Sequence, residues 1–349
     1  MRKISLHDIR LENMLAVFRE IALGDKVTKK EIALATSLSL VTVGKITSAL
    51  YYGGILQKRT EKRGDLGRPA EVFKLRTDAA VPIFDLSART FRFALYTPAG
   101  EPIDEVRYAF PADPQFCPSA FVRFLQLTLR FLRDNHKQLR VLGVGVVISG
   151  VYDEENDRIL STMLPELRAV KPLQNIKKIF KTDNIFVENA ARLSAESVFS
   201  SVEDRESKTL CAISVNDGVE VAAAEGGRFL RGASGLAGRL GDLPYGSVGT
   251  VADHIAGAAD ADAIEDVLLF LLKTATLAYD PDILFLLSSR FYLNEAQKDR
   301  LTSRLHAGLL WANKKPALAV CNTDLAERRQ ALCLRILNNW LLRHTEVCE

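Results

Sequence analysis

The most constraining feature of the sequence is a pair of helix-start signals that lie close together near the N-terminus. Thr28 is followed three residues later by Glu31, which is the spacing of a capping box at the start of a short helix. Ser39 is an N-cap for the next helix, and the glycines at 53–54 end that helix. Apolar residues recur every three or four positions over 10–22, so another helix precedes the pair. Two helices joined by a tight turn predict a helix-turn-helix.

The second helix of this pair has an apolar side and a more polar side, because each residue turns by 100° around the axis. The predicted inward side chains are Leu40, Val43, Ile46, Thr47 and Leu50. The predicted outward side chains are Val41, Thr42, Lys45 and Ser48. Together with the cap residue Ser39 they suit a helix that lies in the DNA major groove. Gly44 costs about 1 kcal/mol inside a helix. Either a tolerated defect or a close approach of the backbone to DNA accounts for it.

A basic hairpin follows the helices. Segments 55–59 and 71–75 read as strands, and the tip between them contains Arg63 and Arg68. This predicts a wing, in which Arg68 could enter a narrow minor groove. Residues 1–76 carry 15 Lys/Arg and 8 Asp/Glu, a net charge of +7, against −4 for the rest. We therefore expect 1–76 to be a winged helix-turn-helix domain that binds a double-stranded DNA operator. The alternatives are a charged hairpin without a partner and a helix-turn-helix used for protein contacts.

Length and composition indicate an ordinary globular protein. The chain has 349 residues, of which 48% are hydrophobic and 26% are charged, enough for two or three domains. No apolar run approaches the roughly 20 residues that a transmembrane helix needs. The five cysteines are scattered and form no Cys-x-x-Cys pair, which fits a reduced protein. These observations predict a cytoplasmic location and no membrane partner.

Strands alternate with helices from residue 79 onward, and this alternation predicts an α/β fold. The predicted strands are 81–85, 91–96 and 141–148, and the predicted helices are 118–137, 261–278 and about 325–343.

Two segments of this body carry a family resemblance. Residues 186–191 read Phe-Val-Glu-Asn-Ala-Ala, and residues 228–238 read Arg-Phe-Leu-Arg-Gly-Ala-Ser-Gly-Leu-Ala-Gly. Together they resemble the ROK family (repressors, open reading frames and sugar kinases), in particular its regulators of the xylose and N-acetylglucosamine repressor type. The resemblance implies a two-lobed actin-like ATPase fold of ribonuclease H-like type over 79–349. The first lobe would comprise about 79–185 with the C-terminal helix, and the second lobe about 186–325.

The resemblance also implies that kinase chemistry is lost. The family's kinases carry a Glu-Asn-Asp triplet whose aspartate takes the proton from the sugar hydroxyl, and Ala190 cannot accept a proton. The family's phosphate-binding segments correspond to 85–89, 215–222 and 281–289, where most of the glycines are missing. We therefore expect no catalytic residue, no bound nucleotide or other cofactor, and no enzymatic activity.

The sugar-binding side of the resemblance indicates a ligand site of altered charge. The matching candidate residues are Glu188, Asn189, Arg239 and Asp242. Arg239 and Asp242 stand where the family has Glu and His, so Arg239 could hold a phosphate or carboxylate in a bidentate pair. A vestigial pocket, in which Arg239 pairs with Glu188 or Asp242, is the alternative. The cysteine cluster of the family's zinc site has no counterpart here, so no metal is expected.

These features predict a DNA-binding transcriptional regulator, a repressor of sugar-related genes. Its inactive ROK domain would sense a sugar or an anionic sugar derivative and mediate assembly. ROK repressors are usually homodimers or tetramers, and a dimer suits two-fold symmetric DNA sites. An active ROK sugar kinase with an accessory DNA-binding module is the alternative, and a scaffold whose ROK body binds another protein is a third reading.

Overall fold

The computed structural model describes most of the chain, with only the backbone for 6–12 and 23. The described residues are 6–24, 27–61, 69–87, 90–109, 117–160, 164–216, 218–230, 232–233, 235–288, 290–309, 313–321, 332–333, 335–337 and 340.

The N-terminal part is a helical domain with a small sheet, here called the head. Its elements are α1 (Leu6–Leu23), β1 (Val27–Thr28), α2 (Lys29–Thr36), α3 (Leu40–Tyr52), β2 (Leu56–Glu61) and β3 (Ala70–Leu75). The sheet order is β1-β3-β2, and β2 pairs with β3 as an antiparallel hairpin. Thr28 and Glu31 form a complete capping box at the start of α2, and Ser39 caps α3. The predicted helix starts and hairpin strands are confirmed.

The first lobe of the body is a twisted sheet with helices packed against it. Its elements are β4 (Ala79–Leu86), β5 (Thr90–Tyr96), β6 (Pro102–Ala109), α4 (Cys117–Asn135), β7 (Arg140–Val141), β8 (Val144–Ile148), β9 (Val151–Asp153), β10 (Arg158–Leu160), α5 (Pro172–Phe180) and β11 (Ile185–Asn189). The sheet order is β11-β8-β4-β5-β6. Strands β4, β5 and β6 are antiparallel, whereas β8 and β11 are added in parallel on the other side of β4.

The second lobe repeats this topology. Its elements are α6 (Ala190–Phe199), β12 (Thr209–Val215), β13 (Val219–Glu225), β14 (Arg228–Phe229), α7 (Val251–Ala256), α8 (Glu265–Tyr279), β15 (Ile283–Leu287), α9 (Glu295–Ala307) and β16 (Ala317–Cys321). The order is β14-β13-β12-β15-β16, again with three antiparallel strands followed by two parallel additions. Two sheets of the same order and direction form the two lobes expected of an actin-like fold, and the predicted α/β class of the body is confirmed.

The break between the lobes follows β11. Because β11 pairs with β8, residues 185–189 complete the first sheet, whereas the second lobe was expected to begin near residue 186. Helix α6, which starts directly after β11, packs its second half on the sheet of the second lobe through Ala195 and Phe199. The strand pairing therefore places the turn from β11 into α6 at the junction of the lobes.

A C-terminal helix joins the head to the first lobe. Its described residues are 332–333, 335–337 and 340. Leu332 lies so close to Gly145 of β8 that a Cβ on this glycine would come within 2.7 Å of the leucine. Trp340 lies against Gly53 at the end of α3, where a Cβ would be 2.3 Å from the indole ring. One hydrophobic core consequently contains residues of the head, the first lobe and this helix.

The strand predicted over 141–148 is interrupted. Residues 142 and 143 lie outside β7 and β8, and the Asn184 side chain donates a hydrogen bond of 2.9 Å to the carbonyl of Leu142. A Cβ on Gly143 would lie 2.5 Å from the same amide nitrogen. The Asn184 side chain therefore binds the backbone at the break between β7 and β8.

Among the described residues, no single helix has the length and apolar composition to cross a membrane; α2 and α3 meet that test only together, across a bend of 116°.

Candidate functional site

The outward face of α3 is the first candidate site. Val41 is 71% exposed, and Lys45 and Ser48 are exposed as predicted. The inward side chains that are buried are Val43, Ile46, Thr47 and Leu50. Leu40 is a correction, because it was predicted to face inward and is 52% exposed. The face thus offers a methyl-bearing, a cationic and a hydroxyl side chain to a partner.

Ser39 and Thr42 act first on the helix itself. The Ser39 hydroxyl accepts a hydrogen bond of 3.1 Å from the Thr42 backbone N–H and lies 2.9 Å from the Thr42 hydroxyl. This arrangement satisfies one of the N–H groups that have no partner within a helix. Both residues therefore fix the start of α3, at the same end as the exposed face.

The hairpin beside α3 carries a paired carboxylate. Glu71 of β3 accepts from Lys29 at 2.8 Å and from Lys58 at 3.2 Å. The hydrogen bond from Lys29, followed by that from Lys58, holds the pKa of Glu71 below its usual range. The predicted tip residues Arg63 and Arg68 lie outside the described residues.

A narrow cleft between the lobes is the second candidate site. It is lined by the turn after β8, the end of β11, strand β13 and the loop at 235–242, and its volume is about 50 Å³. Ligand pockets usually have volumes of about 300–1,000 Å³. Three of the predicted ligand residues, Asn189, Arg239 and Asp242, line this cleft. In this conformation the cleft is too small for a sugar-sized molecule.

Asn189 uses all of its side-chain hydrogen-bonding capacity. Its carbonyl oxygen accepts from the N–H groups of Ala191 at 2.8 Å and Arg192 at 3.1 Å, and it thereby caps α6. Its amide nitrogen donates to the Gly150 carbonyl at 2.8 Å and to Glu220 Oε1 at 3.3 Å. An asparagine side chain has two donor hydrogens and two acceptor sites. A ligand can bind Asn189 only by replacing one of these partners.

Glu220 reaches across the cleft from the second lobe. Besides the contact with Asn189, its Oε1 accepts from the Ser149 hydroxyl at 2.8 Å and from the Gly150 N–H at 2.9 Å. Neither Glu220 nor Ser149 was predicted to be a site residue. The only sequence signal was a carboxylate in the segment that resembles a phosphate loop.

Glu188 does not line the cleft. Its carboxylate, 7% exposed, forms ion pairs with Arg192 of α6, at 3.2 Å, and with Arg335 of the C-terminal helix. Arg335 also lies 2.6 Å from Glu196, without hydrogen-bond geometry. Ala190 is 2% exposed and belongs to the core shared with the C-terminal helix. Glu188 therefore ties β11 to the C-terminal helix.

Arg239 is paired with Asp242. Its Nε donates to the Asp242 carboxylate at 2.6 Å, which is one of the two pairings that the sequence left open. The glycine-rich loop before it has a packing role, because Gly238 has a φ of +89° and a Cβ there would lie 1.8 Å from the Val221 carbonyl oxygen. Only glycine fits that position.

Two residues of the segments that correspond to phosphate loops accept hydrogen bonds within their own turns. Asp85 accepts from the N–H and the hydroxyl of Ser87, at 3.0 and 2.6 Å. Ser288, 2% exposed, accepts from the N–H groups of Arg290 and Phe291. Residues 88–89, 217 and 289 lie outside the described residues.

Metal-ligating side chains are not clustered in the described part of the chain, where no group of three or more His, Cys, Asp or Glu could hold an ion. His254 of α7 has its Nδ1 2.9 Å from the Thr250 carbonyl and packs edge-on against Tyr245.

Two lobes of repeated topology around a cleft define an actin-like fold. Residues 85–253, which include every residue that lines the cleft, match the ROK family model. The chain therefore contains a ROK family domain.

Comparison with known proteins gives similar regulators and similar kinases. A Mycobacterium tuberculosis protein named as a transcriptional regulator is 27% identical to this chain over 147 residues. The match covers 41% of this chain and only 33%, about a third, of that relative. A solved structure described as a ROK family transcriptional regulator, homolog of the E. coli MLC protein, covers 98% of this chain and 100% of its own, with a TM-score of 0.68 and 17% identity. The ROK hexokinase of Thermus thermophilus covers 73% of this chain and 97% of its own, with a TM-score of 0.52 and 16% identity. At these identities the structures establish the fold.

Proposed function

We propose that the protein is a DNA-binding transcriptional regulator, a repressor of sugar-related genes. The observation that carries the proposal is the exposed face of α3, where Val41, Lys45 and Ser48 project from a helix whose start is fixed by Ser39. The second helix of a helix-turn-helix reads base edges in the major groove. The net charge of +7 over residues 1–76 supports a polyanionic partner. The names of the similar regulators point in the same direction.

The ROK domain is proposed to be the sensor. A sugar or anionic sugar derivative would bind between the lobes, next to Asn189, Arg239 and Asp242, after the cleft opens. We propose that the protein works as a homodimer or tetramer, because a two-fold symmetric operator rewards two heads with a fixed spacing.

The domain is proposed to be catalytically inactive. Ala190 stands where the resemblance expects the proton acceptor, and it is buried in the core instead of lining the cleft. Asp85 and Ser288 are occupied by turns of their own segments. A kinase with an accessory DNA-binding module is the second candidate, which the fold similarity to a ROK hexokinase favours.

The experiment that tests the regulator is a matched pair of lysine substitutions. Lys45→Ala removes a cation from the outward face of α3, whereas Lys178→Ala removes the same charge from an exposed position on α5 of the body. We expect only Lys45→Ala to weaken operator binding, with a loss of about 1–3 kcal/mol if Lys45 contacts a base, or a salt-dependence slope lower by about 1 if it contacts a phosphate. Fluorescence anisotropy at several salt concentrations measures both.

Two results would contradict the assignment. One is equal operator affinity of the Lys45→Ala and Lys178→Ala variants and the wild type. The other is undiminished operator affinity of a protein that lacks residues 1–76.

A further inference from the structure

The cleft contains three hydrogen-bond donors that converge on one carboxylate oxygen. The Ser149 hydroxyl, the Gly150 N–H and the Asn189 amide all point to Glu220 Oε1, at 2.8, 2.9 and 3.3 Å. Hydrogen bonds to an ionised acceptor are about twice as strong as those between neutral groups. A backbone N–H beside a hydroxyl and an amide is the kind of donor set that binds an oxyanion.

The donors and the acceptor belong to different lobes. Ser149 and Gly150 follow β8, and Asn189 ends β11, so all three stand on the first lobe. Glu220 stands on β13 of the second lobe. The carboxylate therefore bridges the cleft at the point where the lobes approach each other.

We propose that Ser149, Gly150 and Asn189 form a carboxylate-binding site that Glu220 occupies as an internal ligand, and that this contact keeps the cleft closed. A bound molecule normally draws two such lobes together by contacting both of them. Here a side chain of the chain itself makes that contact, and the remaining volume is about 50 Å³. A small molecule that enters must displace Glu220 and present an oxygen acceptor to the same donors.

Saturation of Asn189 supports this assignment. Three of its four hydrogen bonds hold the first lobe and the start of α6 together, through the Gly150 carbonyl and the N–H groups of Ala191 and Arg192. The fourth, to Glu220, crosses the cleft to strand β13 of the second lobe. Removal of Glu220 would thus leave Asn189 in place with one free donor, so the site is preorganised for another acceptor. The inference concerns the same cleft as the proposed sensor site, but it does not depend on DNA binding, so the two can fail separately.

Chemical rescue of a truncated side chain tests the proposal in the full chain. In Glu220→Ala the three donors lose their acceptor, so we expect hydrogen exchange of the Gly150 amide to become at least about tenfold faster than in the wild type. Acetate supplies a carboxylate of the lost kind, and we expect it to slow this exchange saturably in Glu220→Ala. Mass spectrometry of peptides that cover 149–151 reports the effect without any requirement for DNA.

Two matched variants separate a site from a general effect. Glu225→Ala removes an exposed carboxylate from the same strand, and we expect its exchange at 149–151 to equal that of the wild type with and without acetate. Glu220→Gln keeps an oxygen acceptor in the cleft and should stay closer to the wild type, with no response to acetate.

The outcomes decide the proposal in either direction. Unchanged exchange at Gly150 in Glu220→Ala overturns the closing contact. Faster exchange that acetate does not reverse overturns the carboxylate site, and so does an acetate effect of equal size in the wild type and in Glu225→Ala.

Discussion

At the scale of single residues, Gly44 shows how a local cost can be separated from a functional requirement. It lies inside α3, and a Cβ built on it meets no atom within 4 Å. The fold therefore does not need a glycine at this position. Gly44 is on the same helix as the proposed DNA-contacting face, so close approach of a phosphate backbone would give this position a functional reason to be glycine.

We predict that Gly44→Ala stabilises the isolated protein by about 0.5–1 kcal/mol, because alanine loses less backbone entropy in a helix interior. Urea unfolding of the variant and the wild type measures the change. Operator affinity of the same variant then distinguishes the two readings of the sequence. Retained affinity identifies a tolerated defect, and lost affinity identifies close backbone approach. A fall in stability would contradict the open environment around Gly44.

At the scale of elements, local sequence signals predicted the features that are determined by residues close together in the sequence. The predictions of the caps at Thr28 and Ser39 and of the two hairpin strands were correct because each is decided within a few positions of the chain. The prediction that Leu40 faces inward was wrong. The 100° rule gives the direction of a side chain around the helix axis, but it does not show whether another part of the chain covers that side chain. The contacts in the cleft between the lobes were harder to predict, because the hydrogen bond between Ser149 and Glu220 joins segments that are 71 positions apart.

The tertiary contacts of the C-terminal helix could not be predicted from its sequence. Leu332, Ile336 and Leu337 of this helix lie in the core that it shares with the head and the first lobe. Trp340 supports the end of α3 through a tertiary contact with Gly53. The ion pair between Arg335 and Glu188 likewise depends on the position of β11. A pattern within one helix carries no information about either partner.

We predict that Trp340→Ala destabilises the protein by about 3–5 kcal/mol, the usual cost of truncating a buried tryptophan. Hydrogen exchange at the C-terminal turn of α3 should rise more than exchange in the second lobe, because the indole lies against Gly53. Tyr292→Ala is the matched control, since that aromatic side chain is 73% exposed and should change stability by no more than about 0.5 kcal/mol. Equal exchange of α3 in both variants would contradict the supporting role.

At the scale of the whole molecule, one core runs from the head to the junction of the lobes. Met14 and Phe18 of α1, Trp340 of the C-terminal helix and Ala190 at the start of α6 are members of the same buried cluster. The Glu188–Arg335 ion pair lies beside it. A change in the angle between the lobes would therefore move side chains that also support the proposed DNA-binding domain. If a ligand binds in the cleft as proposed, this shared core would connect its site to the head.

The same continuity decides what Ala190→Asp would do. In an active ROK kinase the aspartate faces the cleft and takes a proton from the sugar, a contribution of about 10²–10⁴-fold. Here position 190 is 2% exposed among apolar side chains, so an ionised aspartate would be buried without a partner and should destabilise the protein. The site for the phosphoryl donor would be missing as well, since Asp85 and Ser288 bind their own turns and Glu220 occupies the cleft.

We therefore predict that Ala190→Asp lowers the unfolding midpoint and leaves sugar phosphorylation at background in coupled assays. Ala191→Ser, at the next position, is the control for a polar change without a buried charge. Saturable micromolar ATP binding to the wild type in calorimetry, or phosphorylation of a sugar by Ala190→Asp, would refute the inactive domain and favour the kinase.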